Sequence, residues 1–366
     1  RDVAPSRGLG DVYKRQLYVH REFSSVLNGG TYVMHRNYEM LTRLFGGDNV
    51  ICYSVARPTL KIIVLSLLRM GCYGVSKRDE ETIMDVYCKD SFDFVFFEGS
   101  LFGRIVKLLH GLEAKSVIFE HNVDASMAYQ EYLYDHSLVS YVKYRFIKFN
   151  EKRTVRYATS LIALNKRDCD GFERMYGRKP ELIFPITSPK VDLDDVPVLT
   201  AINRPFLLFV GADFYPNIEG IVWFIEHVSP FIQLDLRIVG ACCNNPTLRN
   251  KTLSNVKLEG YVDDLSSYYK SALAVVAPIF KGSGMKTKVI EAMSFGKSII
   301  GTDEAFQGIE CDYCRMGGKC NTPSEFIHTI NSLSDNRFNP YTYQLFSEKY
   351  ETCLLYTSPS PRDGAT

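Results

Sequence analysis

The feature that most constrains this chain is an alternation. Short apolar runs rich in β-branched and aromatic residues recur along it, each followed by a segment with helical spacing. In the first half the runs fall at residues 50–55, 92–97, 116–119 and 160–163, with amphipathic stretches such as 32–44 and 103–109 between them. Runs this continuous predict strands covered on both faces, as in parallel sheets built from βαβ units. Residues 186–203 carry two prolines and follow neither period, which predicts a linker. The alternation then restarts, with strands expected at 206–211, 234–240, 256–259, 273–279 and 298–301. Thr322-Pro323-Ser324-Glu325 has the pattern of a capping box with proline at the first helical position, opening a helix through Leu333.

The expected fold class is therefore α/β, with two doubly wound units at 17–185 and 204–335 and a helical segment at 336–352. A length of 366 residues suits two domains. Residues 1–16 and 353–366 resemble translated sequencing-adaptor read-through and are expected to lack a packed position.

Charge excludes some partners. Lys plus Arg number 43 against 42 for Asp plus Glu, so no global field points to nucleic acid. No stretch reaches the roughly 18 apolar residues of a membrane span; the best, 62–68, is interrupted by Ser66 and followed by Arg69. The start lacks a signal-peptide core, so a cytoplasmic protein is expected. The basic, aromatic segment 129–157, with Lys143, Arg145, Lys148, Lys152, Arg153 and Arg156, leaves two readings open. One is peripheral contact with the inner face of a membrane; the other is a packed helix with snorkelling cations. Ten cysteines are scattered through a core-rich chain and read as reduced thiols. Cys311, Cys314 and Cys320, with His328 as a fourth ligand, could hold zinc; ordinary thiols on a strand pair are the expectation, and no metal site is assigned.

The segment most able to do chemistry spans residues 278–296, where an expected strand runs into a glycine-flanked loop and then a helix. Ligands of open parallel sheets sit at the carboxyl ends of strands. Gly282 and Gly284 permit close backbone approach, and the helix start presents free amides to an anion. At about 100° per residue, Met285, Val289 and Ala292 share an apolar face, while Thr287, Lys288 and Glu291 fall opposite. Cations near a helix start suggest a compensating anion, and a carboxylate one turn deeper could accept bonds from paired ribose hydroxyls. The alternative is that Lys286 and Lys288 are solvated charges pairing with Glu291.

This segment resembles the donor-binding motif of retaining glycosyltransferase family 4, which has the GT-B fold of two facing Rossmann-like domains. The residues that carry the likeness are Gly282, Gly284, Lys288, Glu291-Ala292-Met293, Gly296 and the strand at 298–301. The likeness extends to residues 209–217, a strand ending in Gly211 with Asn217 as the expected helix cap, and to the turn 260–265. In the first half, Glu120-His121-Asn122 resembles the family's Glu-His-Asn turn and Asn28-Gly29-Gly30 its glycine loop. Unaided, Asn-Gly-Gly is a turn signal, and a loop histidine needs no catalytic role. Glu98-Gly99-Ser100, at another strand end, could reach an acceptor or cap a helix.

The resemblance implies that Glu291 binds the ribose and that Lys288, with Lys286, meets the donor pyrophosphate. It implies that amides around Gly282, Ser283 and Gly284 contact phosphate and sugar, and that Gly211 lines the donor turn. Gly29, Gly30, Glu120 and Asn122 would serve the acceptor or the diphosphate, with His121 beside the reacting sugar across an interdomain cleft. Catalysis would rest on His121, Lys288 and Glu291, without metal or cofactor. One departure stands out: many members carry glutamate where this chain has Ser283, which leaves the sugar open. The implied reaction transfers a hexose or N-acetylhexosamine, with retention, from a nucleotide sugar to a glycan or lipid-linked acceptor in cell-surface polysaccharide synthesis. A same-fold epimerase and a catalytically silent nucleotide-sugar-binding scaffold remain the rivals.

Overall fold

In the computed structural model, residues 15–22, 29–200, 204–251 and 253–352 are described. They divide into two compact units, the first ending at Phe184 and the second beginning at Pro185.

The first unit is built on a six-stranded parallel sheet. Its strands are β1 (Gln16–Arg21), β2 (Val50–Val55), β3 (Phe94–Glu98), β4 (Ser116–Glu120), β5 (Ser160–Ala163) and β6 (Leu182–Ile183), in the order β2-β1-β3-β4-β5-β6. The connection from β1 runs to one side and that from β3 to the other, so the sheet switches direction between these two neighbours. Central strands are buried almost throughout, as helices on both faces require. The edge strand β2 alternates between buried and open positions. Leu17, Val19, Phe97, Phe102, Ile105, Leu109 and Phe172 belong to the main core. A smaller cluster of Tyr73, Ala125, Ala128, Phe146 and Ile147 lies under the helices Leu60–Leu68, Asp124–Asp135 and Leu138–Tyr157.

Gln16 corrects one expected boundary. Assigned from sequence to the foreign-looking start, it is fully buried and pairs with both Val50 and Phe94. The remaining adaptor-like residues, 1–14 and 353–366, lie outside the described residues apart from Arg15, whose amide donates to Asp93.

The second unit holds β7 (Phe206–Val210), β8 (Asp235–Val239), β9 (Val256–Gly260), β10 (Ala274–Ala277), β11 (Ser298–Gly301) and β12 (Gly317–Lys319). All pair in parallel, in the order β12-β11-β10-β7-β8-β9, with the switch between β7 and β10. The linker expected at 186–203 forms no helix or named strand in its described part, but it is fastened to this unit. Ser188 bridges to Glu351, Leu193 and Val196 accept from Lys270 Nζ, and the Leu199 amide donates to Ser271 Oγ. The capping box of Thr322 and Glu325 forms and opens the helix Pro323–Asn331. The expected strand pair around the cysteines does not form: Cys314 lies in the one-turn helix Tyr313–Met316 and Cys320 follows β12. No group of His, Cys, Asp or Glu able to hold a metal occurs among the described residues.

Candidate functional site

In the second unit the two strands of the switch carry the residues singled out from sequence. Beyond β7 the chain turns at Gly211, where a Cβ would come within 2.8 Å of the Phe209 ring and 3.2 Å of Cys242 Sγ. Beyond β10, Gly282 and Gly284 adopt φ of 133° and 66°, left-handed values that other side chains rarely accept. They turn the backbone into the helix Thr287–Ser294, where the Val289 amide donates to the Lys286 carbonyl and the amides of Thr287 and Lys288 precede the helix's own bonding ladder.

Val289, Ile290, Ala292 and Met293 pack this helix onto its unit, while Lys288 and Glu291 are only partly exposed. Lys288 Nζ donates to Asn217 Oδ1 at 2.8 Å and lies 4.5 Å from the centre of the Phe209 ring. Burial pulls its ammonium down to about 7. Glu291 accepts from the Tyr269 hydroxyl at 3.0 Å; burial raises its carboxyl above the ordinary value, against the opposing pull of that bond and of Lys288. The simple reading of solvated lysines pairing with Glu291 is thus corrected. Lys288 bonds Asn217, and Lys286 forms a largely enclosed ion pair with Glu304 at 2.8 Å while also donating to the Gly284 carbonyl. Ser283 contributes its carbonyl to the same ammonium at 3.3 Å.

Asn217 is not the expected cap. The helix Tyr215–His227 begins two residues earlier, with Pro216 in its first turn, a position that proline favours. Asn217 therefore sits inside the helix, donating to the Ala212 carbonyl and accepting from Lys288. It ties together the two helices that leave the switch strands. Tyr269 and Glu304 were missed from sequence because their contacts come from elements 22 and 18 residues away from their partners.

In the first unit, His121 follows β4 and its Nε2 lies 2.6 Å from Glu98 Oε2 at the end of β3. The other oxygen of Glu98 accepts from Asn37 Nδ2 at 2.9 Å and lies 2.8 Å from the Tyr18 hydroxyl. That hydroxyl is also 2.8 Å from the Met34 carbonyl. Glu98 is thus the group that orients the His121 ring, neither a helix cap nor an open acceptor contact. Asn122 is half-buried beside it. Glu120 departs from the expected acceptor contact, because its side chain is fully buried and both carboxyl oxygens lack a hydrogen-bond partner. Desolvation, with Glu151 and Asp124 nearby, holds its carboxyl well above the usual carboxylate range. Glu151 caps the following helix, accepting from the amides of Asp124 and Ala125.

Gly29 and Gly30 open the helix Gly29–Phe45; Asn28 lies outside the described residues. Gly30 lines a pocket of about 370 Å³ at the carboxyl end of β1, together with Arg21, Thr31, Met34, Arg57 and Tyr73. Arg21 is already engaged, donating to the carbonyls of Gly74 at 2.7 Å and Tyr73 at 2.5 Å.

Comparison with known proteins gives these sites a context. Residues 204–336 match the family described as Glycosyl transferases group 1. A Klebsiella pneumoniae protein, an uncharacterized 44.6 kDa protein in a cps region, is 21% identical over 309 residues, covering 77% of this chain and 76% of its own. Sucrose-phosphate synthase from Thermosynechococcus elongatus superposes with a TM-score of 0.69 at 13% identity, covering 93% of this chain and 96% of that one. Anabaena HepE in complex with UDP gives a TM-score of 0.63 at 12% identity, covering 93% and 97%. WaaG, a glycosyltransferase involved in lipopolysaccharide biosynthesis, gives 0.59 at 14% identity, covering 93% of each chain. The fold is GT-B, two Rossmann-like units with parallel sheets, and residues 204–336 of the second unit match the Glycosyl transferases group 1 family.

Proposed function

We propose that the protein transfers a hexose or N-acetylhexosamine, with retention and without a metal, from a nucleoside-diphosphate sugar to a glycan or lipid-linked acceptor in cell-surface polysaccharide synthesis. The observation that carries this reading is that Lys288 and Glu291 lie on one helix at the switch of the second sheet, where open α/β sheets bind ligands. Lys288, held by a neutral amide rather than a carboxylate, has no counter-charge of its own, so a bound diphosphate would draw a proton onto it and supply the missing anion. Glu291, held by one hydroxyl, keeps accepting capacity for a ribose diol. The amides at the helix start add donors for the leaving phosphate. His121, oriented by Glu98, is the acceptor-side group. The cps-region relative supports a surface-glycan setting. Glu304 brings a carboxylate to the loop in which Ser283 stands, its oxygen paired there with Lys286 at 2.8 Å.

Calorimetric titration with nucleoside diphosphates, followed by detection of diphosphate release with and without glycan acceptors, tests the reading. Acceptor-dependent release is the expected result. Release of none, with binding intact, would select the silent nucleotide-sugar-binding protein that Ser283 also favours.

A further inference from the structure

We propose that Asn217 is a positioning residue of the donor site, its neutral amide aiming Lys288 Nζ at a bound diphosphate while leaving the counter-charge for that ligand to bring. This rests on the nucleotide-sugar reading above, which sets a diphosphate beside Lys288.

The sequence brings Asn217 to Lys288 through a glycine. The helix Tyr215–His227 approaches the residue that follows β10 so closely that a Cβ on Gly220 would come within 1.8 Å of the Pro278 carbonyl oxygen. Only a residue without a side chain permits that approach. Asn217 lies three positions ahead of Gly220 and so on the same helix face, where it meets the first turn of the helix Thr287–Ser294. Its amide is fixed from both ends. Nδ2 donates to the Ala212 carbonyl at 3.0 Å, which leaves Oδ1 to accept from Lys288 Nζ at 2.8 Å. The reversed amide would set donor against donor at the ammonium.

The partner so placed carries no charge, and neither do most of the other groups around Lys288. Two helices begin here, and neither has an acid in its first turn, although their positive ends favour one. The Phe209 ring, 4.5 Å from Nζ, offers only its π face. Lys286 is paired with Glu304. Cys242, in the turn beyond β8, is fully buried, and its bond to Cys243 together with that burial holds its thiol above the ordinary range and neutral. Glu291 is the carboxylate that faces Lys288, but Tyr269 holds it and burial raises it towards its neutral form. Lys288 is thus an amine fixed in direction that keeps its proton only to about 7, because burial strips its solvation. A carboxylate in place of the Asn217 amide would hold that proton permanently and repel a diphosphate. The amide does neither.

Two measurements on the full chain test this. The first follows Lys288 itself by NMR titration of labelled lysine side chains, its signal assigned by its loss in Lys288→Met. The parent midpoint is expected near 7. Asn217→Asp should raise it by at least about one pH unit, through an opposite charge in contact, and Asn217→Leu should lower it. The second is calorimetric titration with inorganic pyrophosphate, which no base preference affects, from pH 7 to 9. At pH 7 Asn217→Asp should bind about tenfold more weakly than the parent, because its carboxylate repels the anion. The parent then loses up to about tenfold per unit while Asn217→Asp keeps its proton, so the two curves cross before pH 9. The ligand's own ionisation cancels in the ratio of the two. An asparagine that only braced the helix would change affinity without changing the slope. Equal Lys288 midpoints in the parent and Asn217→Asp, or parallel affinity curves, would overturn the proposal. Midpoints that move as expected in a chain that binds no pyrophosphate would uphold the hold of Asn217 on Lys288 and sink the nucleotide-sugar reading alone.

Discussion

At the end of β10 the second unit leaves a lysine and a glutamate each held by a single neutral side chain. At the ends of β3 and β4 the first unit does the reverse. It surrounds His121 with a closed network through Glu98, Asn37 and Tyr18, and buries Glu120 with no partner. The first arrangement holds two desolvated groups without full counter-charges and leaves a ligand to complete them. The second spends its bonding capacity inside the protein to fix one ring. Donor binding should therefore depend on individual side chains, whereas the histidine should depend on its supporting network.

The largest expected effect separates the two regions outright. His121→Ala should lower transfer by about 10²-fold or more, typical of a positioned polar group, while leaving nucleotide affinity nearly unchanged. Glu98→Gln should give a smaller loss of the same kind, because it keeps the side chain's shape but weakens its hold on the ring. Affinity and turnover measured on the same preparations check this. A fall in nucleotide affinity matching the fall in rate would erase the distinction.

The second region can be split further. Glu291→Ala should weaken nucleoside and nucleoside diphosphate alike, by about 1–3 kcal/mol through lost hydroxyl bonds. Lys288→Met should weaken only the diphosphate. Since burial leaves the Lys288 ammonium near 7 in the free protein, a bound diphosphate must pull a proton onto it. Diphosphate affinity should then fall as pH rises above about 7, by up to about tenfold per unit. Nucleoside affinity should stay flat. The second phosphate ionisation, near 6, makes the alkaline side the clean window. A titration series from pH 7 to 9 on the parent chain and on Lys288→Met reads it, and an equal slope in both proteins counts against Lys288.

How much of this was legible follows from the range of the forces involved. The strands at 50–55, 160–163 and 298–301 and the Thr322 capping box were readable because their signals are local. So was the turn at Gly282 and Gly284, where the backbone itself demands glycine. The edge strands Leu182–Ile183 and Gly317–Lys319 were not, since two exposed residues and a glycine pair carry no periodicity and exist only through pairing with β5 and β11. Asn217 was misplaced because Pro216 starts its helix earlier than the asparagine suggested. The partners of Lys286, Lys288 and Glu291 were invisible for the opposite reason, each arriving from another element through the fold. Glu120 resembled a site residue by motif, yet the register of β4 against β5 opposite Ala163 turns it inside.

That burial yields the smallest expected effect and the sharpest test of the first unit's design. Glu120 is held well above its ordinary value of 4.5 by desolvation, with Glu151 and Asp124 adding to the rise. The folded state therefore keeps a proton on Glu120 that the unfolded chain releases above about 4.5. Folding binds more protons than unfolding across this window, so stability is full below the unfolded value and declines as pH rises towards the folded one. Glu120→Gln keeps the shape and the neutral charge of the protonated acid but has no proton to lose. It should match the parent chain near pH 4 and gain on it steadily from pH 5 to 8 in thermal unfolding. Glu151 and Asp124 are raised too, but they are present in both proteins and largely cancel in the difference. A variant less stable than its parent at pH 8 would mean that Glu120 is ionised and paired in the folded chain, and the contrast between the two regions would lose its physical basis.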